Sequence, residues 1–359
     1  MNFNAPLLRP IRILLFPFSL LYACIVYLRN LFFNKHWFHE TFFNLPVICV
    51  GNIAVGGTGK STMVEYLLDF LKHKHHPAVL SRGYKRKTKG YALANTKSTA
   101  LEIGDEPMQF YNKYPSLAIA VGEKRVEAIP QLLQDRPDTD VIILDDAFQH
   151  RAVKAGLNII LTEFNNLYTR DWFLPTGDLR DQRSSSSRAD LIVVTKSPAN
   201  LEHHLAASII EELEPLPHQT VFFSSLKYGI PYHIISKDQL PILAEQEILL
   251  VTGIANPAPL KSFIHEKAHT YEEMLYNDHH IYTIDDWNDI IKRFEAMSSS
   301  QKILITTEKD AVRLVKFAHH LTNIPFYVIP IQMELLFDQE NLFKNKVLSY
   351  VESQPKGLF

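Results

Sequence analysis

Short apolar runs separated by polar or glycine-rich stretches set the pattern of this 359-residue chain. Val47, Ile48, Cys49 and Val50 are unbroken apolar positions, which predicts a buried strand. From residue 60, "KSTMVEYLLDFLK" spaces its apolar residues as a helix does. Further strands are predicted in 77–87, 117–122, 141–150, 157–164 and 189–196. Helices are predicted from 104 and from 123, where Asp105 and Glu106 precede Pro107 at a first turn. Strands alternating with helices imply a parallel sheet wound by crossovers, with ligands at the strands' C-terminal ends. The polar stretch 177–190 reads as a mobile loop. Near 218–229 the pattern shifts to a second, smaller α/β unit with strands at 247–254, 302–310 and 325–331. The division expected is 1–35, 36–222 and 223–359, with the end of the chain free to pack back on the core.

The N-terminus departs from this alternation. Residues 13–28 carry no charge, Arg9 and Arg12 precede them, and Arg29 and Lys35 follow. A spanning helix takes about 20 apolar residues. This segment is shorter and contains Pro17. A cleaved signal sequence lacks a clear small-x-small site here. A helix in the protein's own core is one reading. A helix in the membrane interface, with its aromatic residues at headgroup level and its arginines on anionic lipid, fits better.

Composition narrows the classes. Hydrophobic residues make up 46% and charged residues 21%, as in a globular chain. The formal net charge of −2 gives no footprint for nucleic acid. Cys24 and Cys49 both lie in apolar runs and read as small buried hydrophobes. Sixteen histidines form no HExxH arrangement.

The chemistry starts at "VICVGNIAVGGTGKST", residues 47–62. A strand, a glycine-rich loop and a helix N-terminus in this order make a phosphate cradle. The cradle is Ala54, Val55, Gly56, Gly57, Thr58, Gly59, Lys60, Ser61 and Thr62. Lys60 supplies full positive charge, and the Ser61 hydroxyl suits a metal on the phosphates. Ala54 stands where the usual loop has glycine. Asp145 and Asp146 end the apolar run 141–144, where buried carboxylates call for a cation such as Mg²⁺. In "VVTKSP", Pro198 occupies the place of a guanine-reading aspartate, which favours ATP. Asp105 is a candidate base near the phosphates, and a histidine of "NDHH" (277–280) is a candidate partner across a cleft.

"VGNIAVGGTGKST", "LSRGYKRK", "GDEP", "VGEKR", "DDAFQH", "LPTGDLRD", "RADLIVVTK", "NDHH" and "TTEKDAVRL" occur in this order. Together they resemble the tetraacyldisaccharide 4′-kinase family of the lipid A pathway in Gram-negative bacteria. The resemblance runs from the N-terminal apolar segment to about residue 315. It implies two α/β domains joined by a short two-stranded linker, the first like a P-loop NTPase with a membrane-interface helix before it. It implies transfer of the ATP γ-phosphate to the 4′-hydroxyl of a tetraacyl disaccharide 1-phosphate, at the cytoplasmic face of the inner membrane. By the family pattern Lys60 and the loop hold ATP, and Ser61, Asp145 and Asp146 bind or orient Mg²⁺. Asp105 is the base and His279 its partner, while Arg125 and Arg180 contact substrate or phosphate. Asp181 stands where the family often has a metal-contacting glutamate, Ala147 where it often has glycine, and Ser61–Thr62 where Thr–Pro is common.

Two other classes compete. A nucleotide-switch or metal-delivery NTPase would share the loop, but it usually carries a lysine where this chain has Val55. A scaffold with a decayed site would not keep Lys60, Ser61, Asp145 and Asp146.

Overall fold

The computed structural model describes residues 9–268, 270–317, 321 and 324–354. Helices α1 (Arg9–Leu14) and α2 (Phe16–Asn34) precede the first sheet unit. That unit runs β1 (Val47–Gly51), α3 (Lys60–Leu71), β2 (Pro77–Ser81), β3 (Ala92–Leu93), α4 (Ala100–Ile103), α5 (Asp105–Lys113), β4 (Ala118–Val121), α6 (Arg125–Asp135), β5 (Val141–Asp145), β6 (Leu157–Glu163), β7 (Leu191–Thr195), α7 (His203–Leu213) and β8 (Thr220–Tyr228). The second unit runs β9 (Tyr232–His233), β10 (Glu247–Thr252), α8 (Ala258–Lys267), β11 (Thr270–Leu275), α9 (Ile284–Ala296), β12 (Lys302–Thr307), α10 (Glu308–Leu314) and β13 (Phe326–Ile329). The chain then returns through β14 (Ile331–Leu335) and ends in α11 (Glu340–Ser353).

The larger sheet has the order β14-β8-β7-β6-β1-β5-β2-β4-β3. β1 lies between β5 and β6, parallel to both, and all five of its residues are buried. A strand covered on both faces needs apolar residues at every position, which is why 47–50 show no alternation. Ile48, Val50, Ile143 and Ile159 have no exposed surface. Each such side chain contributes about 1.5–3 kcal/mol on burial. The register sets Val50 beside Asp145, so the phosphate loop and the carboxylates leave the sheet at the same edge. Helix α11 packs back on this core through Phe343, Val347 and Val351. Its Tyr350 hydroxyl accepts from the amide of Val47 at 3.0 Å.

The smaller sheet has the order β11-β10-β12-β13-β9. β8 and β14 pair antiparallel and form the two-stranded connection between the units. Gly229 donates to the Pro330 carbonyl at 3.0 Å where the chain leaves and returns. β8 runs through residue 222 and pairs with β7, so the first sheet continues past the expected break.

Other differences have local causes. The segment 325–331 is two strands, because Pro330 breaks it as the chain passes from one sheet to the other. β11 is "TYEEML", a half-exposed edge strand whose glutamates hide it from an apolar pattern. The stretch 177–190 is an ordered strap, with a 3₁₀ turn at Arg183–Arg188 and buried Asp181 and Ser185. Cys49 is buried, but Cys24 is exposed on the outer face of α2.

Candidate active site

The phosphate loop is held from two sides. Thr195 at the end of β7 donates to the Thr58 carbonyl at 2.9 Å, and Asn52 donates to the Thr58 hydroxyl at 2.9 Å. From the strap, the Asp178 carbonyl accepts from Val55 at 2.8 Å, and Arg180 donates its amide to Ile53 at 2.9 Å. Ala54 bridges Leu179 there with φ outside the left-handed region, so a Cβ is admitted where relatives of this loop use glycine. Gly59 caps α3 at φ 85°, a conformation that strains other residues. No atom lies within 4 Å of a Cβ built on Gly56 or Gly57, so the loop is open on the side a phosphate would approach. Ser61 follows Lys60 on the first turn of α3. Thr62 lines a separate groove with Glu65 and Tyr66.

Lys60 reaches across the loop, 3.5 Å from the Gly56 carbonyl and 3.7 Å from Asp146. Burial lowers its pKa, against the pull of Asp146. Asp146 adopts φ 49° at the end of β5 and pairs with Arg180, which also bonds the Asn52 side chain. Burial pushes Asp146 up, but Lys60 and Arg180 outweigh it and hold its carboxyl below the usual value. Asp145 goes the other way. Burial, then Asp146 and Glu106, push its carboxyl up to about 6, although Ser81 donates to it at 2.9 Å. Asp145 is thus the carboxylate left short of cationic charge at the mouth of the loop, while Asp146 is met by Lys60, Arg180 and Arg125.

Asp105 opens α5, and the next residue, Glu106, is close enough to act on Lys60 and Asp145. On its other side Asp105 meets the second unit. Its Oδ2 lies 2.7 Å from His279 Nδ1, and Arg313 forks onto it with Nε at 2.7 Å from Oδ1 and Nη2 at 2.5 Å from Oδ2. Burial raises the Asp105 carboxyl, and hydrogen bonds from His279 and Arg313 more than offset that, so it is held below the usual range. His279 sits at φ 62°, an uncommon backbone state for a non-glycine residue, often found at functional sites.

A sequence profile described as LpxK: Tetraacyldisaccharide-1-P 4′-kinase matches residues 11–352. The chain belongs to this family. It is 39% identical over 360 residues to the tetraacyldisaccharide 4′-kinase of Bacteroides thetaiotaomicron, covering 96% of this chain and 94% of that one. It is 42% identical over 345 residues to that of Flavobacterium johnsoniae, covering 95% and 98%. A crystal structure of "apo" form LpxK from Aquifex aeolicus in complex with ATP is similar at TM-score 0.74 and 27% identity, over 95% of this chain and 99% of that one.

Two residues expected at the site of this kinase family are placed elsewhere. Arg125 is 1% exposed and donates to the carbonyls of Gly122 at 2.7 Å and Asp145 at 3.3 Å. It is a buried positive charge behind the carboxylates, with these donors turned to backbone carbonyls. Asp181 is also 1% exposed. Its Oδ1 accepts from Asn30, Ser185 and the Gln182 amide at 2.8 Å each, and its Oδ2 from Arg188 at 3.1 Å. Those donors leave it fastening α2 to the strap rather than facing a metal. Arg180 is at the loop, but its guanidinium is spent on Asp146 and Asn52. Arg313 and Lys309 had no assigned role in the sequence, although their motif was visible in it.

Helix α2 has inverted polarity. Ser19, Val26, Asn30 and Phe33 are buried, while Phe18, Leu20, Leu21, Ile25 and Tyr27 are more than half exposed. The inward residues are spaced by seven, four and three, so they share one face of the helix, and two of the four, Ser19 and Asn30, are polar while most large apolar side chains point outward. Ser19 donates to the Thr176 hydroxyl at 2.7 Å, and Tyr22 to the Arg180 carbonyl at 3.1 Å. Trp172 packs edge-on against Phe16 at 5.7 Å and is itself exposed.

Proposed function

We propose that the chain transfers the γ-phosphoryl group of ATP to the 4′-hydroxyl of a tetraacyl disaccharide 1-phosphate, working from the cytoplasmic face of the bacterial inner membrane. Membership of the kinase family and likeness to an ATP-bound relative support this. The observation that carries the roles is the position of Asp105. It is a carboxylate held by the second unit on one side, with Glu106 reaching the phosphate loop on the other.

Lys60 and the amides of 54–62 hold the triphosphate. Asp105 takes the hydroxyl proton while the sugar oxygen bonds to the γ-phosphorus and the bond to the ADP oxygen breaks. Among the described residues its Oδ1 accepts from Arg313 alone, which leaves a lone pair for that proton. Asp105 is 3% exposed, and the loop at 83–84 lies against Gly104 and the His279 ring. The acceptor therefore reaches Asp105 by moving this loop. His279 orients the carboxylate. Arg180 exchanges Asp146 for a phosphate oxygen.

Mg²⁺ fits the donor set. Asp145 and Asp146, with the Ser61 hydroxyl, would hold it, and it would neutralise phosphate charge when bound. Among the described residues no group of three such side chains forms a metal cage, so phosphate oxygens would complete the shell. The kinase core is residues 36–228 with 331–353 returning to it, and the smaller domain is 229–330. The outward apolar face of α2 lies in the membrane interface, where a four-chain lipid resides.

The test is conversion of the tetraacyl disaccharide 1-phosphate by purified protein with ATP and Mg²⁺. A bis-phosphorylated lipid is expected. ATP hydrolysis with no lipid product in any detergent would overturn the reading in favour of a nucleotide switch.

A further inference from the structure

Helix α10 brings two cations to the Asp105–His279 pair. Lys309 and Arg313 are four residues apart, so they share one face of the helix. Arg313 forks onto Asp105, and its Nη1 also bonds the carbonyls of His279 and His280. Lys309 Nζ lies 3.3 Å from His279 Nε2 and 2.9 Å from Asp278. The helix is fixed at its start, where buried Asp310 accepts from Thr252, Gly253, Thr307 and Tyr282. It lies against α5 with ion pairs at both ends, Lys113 with Glu308 at 3.2 Å and Arg313 with Asp105. That pairing sets Arg313 over the first residue of α5.

The geometry points to Lys309 and Arg313 as paired positioning residues that fix the proton on His279 Nδ1 and hold the Asp105 carboxylate in its aim. This rests on Asp105 being the base. Asp278 Oδ2 lies 3.7 Å from Nε2, beyond hydrogen-bond reach, and that carboxylate is itself paired with Lys309. The ammonium at 3.3 Å has only donors, so it makes Nε2 the acceptor and leaves the hydrogen on Nδ1. That hydrogen points at Asp105. A guanidinium fork fixes the plane of a carboxylate, which a point charge does not. The charged or titratable groups facing Asp105 are His279 and Arg313 from the second unit, while Glu106, next to it on its own helix, acts on Lys60 and Asp145. Those facing His279 are Asp105, Asp278, Lys309 and Tyr84. The acceptor's proton is thus received by Asp105, because the imidazole already presents its own hydrogen there.

The experiment measures kcat, both KM values and the kcat–pH profile of Arg313→Gln and Arg313→Lys beside Asp105→Ala. Arg313→Gln is expected to lower kcat about 10- to 100-fold, the loss of one charge-assisted hydrogen bond, with both KM values little changed. Its acidic limb moves to higher pH, since Asp105 has lost donors that hold its carboxyl down. Arg313→Lys restores the limb's position but only part of kcat. In ¹⁵N spectra His279 is the Nδ1–H tautomer, and Lys309→Met makes it a mixture. If Asp105→Ala retains full turnover, the base assignment falls and this inference with it. If Asp105→Ala is inactive while Arg313→Gln keeps the parent profile and rate, the inference alone falls. An Nε2–H tautomer or a doubly protonated His279 ring in the parent protein overturns it independently of any variant's folding.

Discussion

Asp105 and His279 lie 174 residues apart and belong to different α/β units, yet a carboxylate oxygen of one sits 2.7 Å from the ring nitrogen of the other. The proposed base is therefore finished only when the second unit is docked. Asp105→Ala should lower turnover about 10²–10⁴-fold, the share of a general base, with ATP affinity nearly unchanged. Single-turnover rates and nucleotide titration check this, and an unchanged rate removes Asp105 as base.

The two adjacent histidines should separate cleanly. His279 touches Asp105, whereas His280 Nε2 pairs with Asp286 at 2.9 Å and its ring stacks on Tyr276. Asp286 also closes the capping box of α9 with Thr283. His279→Ala is expected to slow transfer with little loss of stability. His280→Ala is expected to cost about 1 kcal/mol of stability and little rate. Melting curves and kcat on both variants decide it, and the reverse order would move the pairing to His280.

Asp145 carries a stability cost that its removal should release. Its folded carboxyl is raised from 3.8 to about 6. Between those values the folded state keeps a proton that the unfolded state has lost, so stability falls as pH rises through this window and stays lower above it. Asp145→Asn should then stabilise the nucleotide- and metal-free protein by up to roughly 3 kcal/mol at pH 8, and by roughly half that at pH 5. Transfer should be lost at both. Urea unfolding at the two pH values tests it; an Asn variant less stable than the parent at pH 8 would contradict the assignment.

Membrane association should be separable from folding. Leu21 and Ile25 are 62% and 57% exposed on α2. Changing both to Glu should reduce vesicle binding more than tenfold, given about 1.5–3 kcal/mol for each apolar side chain buried. Ser19 and Asn30 keep their partners, so melting temperature and ATP binding should hold. Deleting residues 1–30 is a harsher test, because it also takes Asn30 from Asp181. If the double Glu variant still pellets fully with anionic vesicles, the anchor is elsewhere.

Asp181 distinguishes a fastener from a metal ligand. Asp181→Ala leaves Arg188 without its carboxylate and is expected to destabilise by about 3–5 kcal/mol. The Mg²⁺ concentration for half-maximal rate should not move. A large rise in that concentration, with stability kept, would return Asp181 to the metal.

The strand, loop and helix around Lys60 could be read from the sequence because each is local. Apolar residues run together, glycines allow the turn, and a 3.6-residue period follows. Asp145 could be placed because a polar pair ending an apolar run is conspicuous. Arg125 could not, since a charge reads as solvated unless the carbonyls that bury it are known. The strap at 177–190 looked mobile because its donors, Asn30 and Ser19, lie on a helix far back in the chain. Arg313 shows the same limit. Its spacing from Lys309 is visible, but Asp105, the group it bonds, is on a helix of the other sheet unit.

The strap is one stretch of backbone with two loads. It receives Ser19 and Asn30 on one side and frames Ile53 and Val55 on the other. If α2 takes up lipid or detergent as proposed, that load reaches the wall of the proposed nucleotide pocket through the strap. The apparent Michaelis constant for ATP is then expected to change with the solubilising agent, although the two never meet.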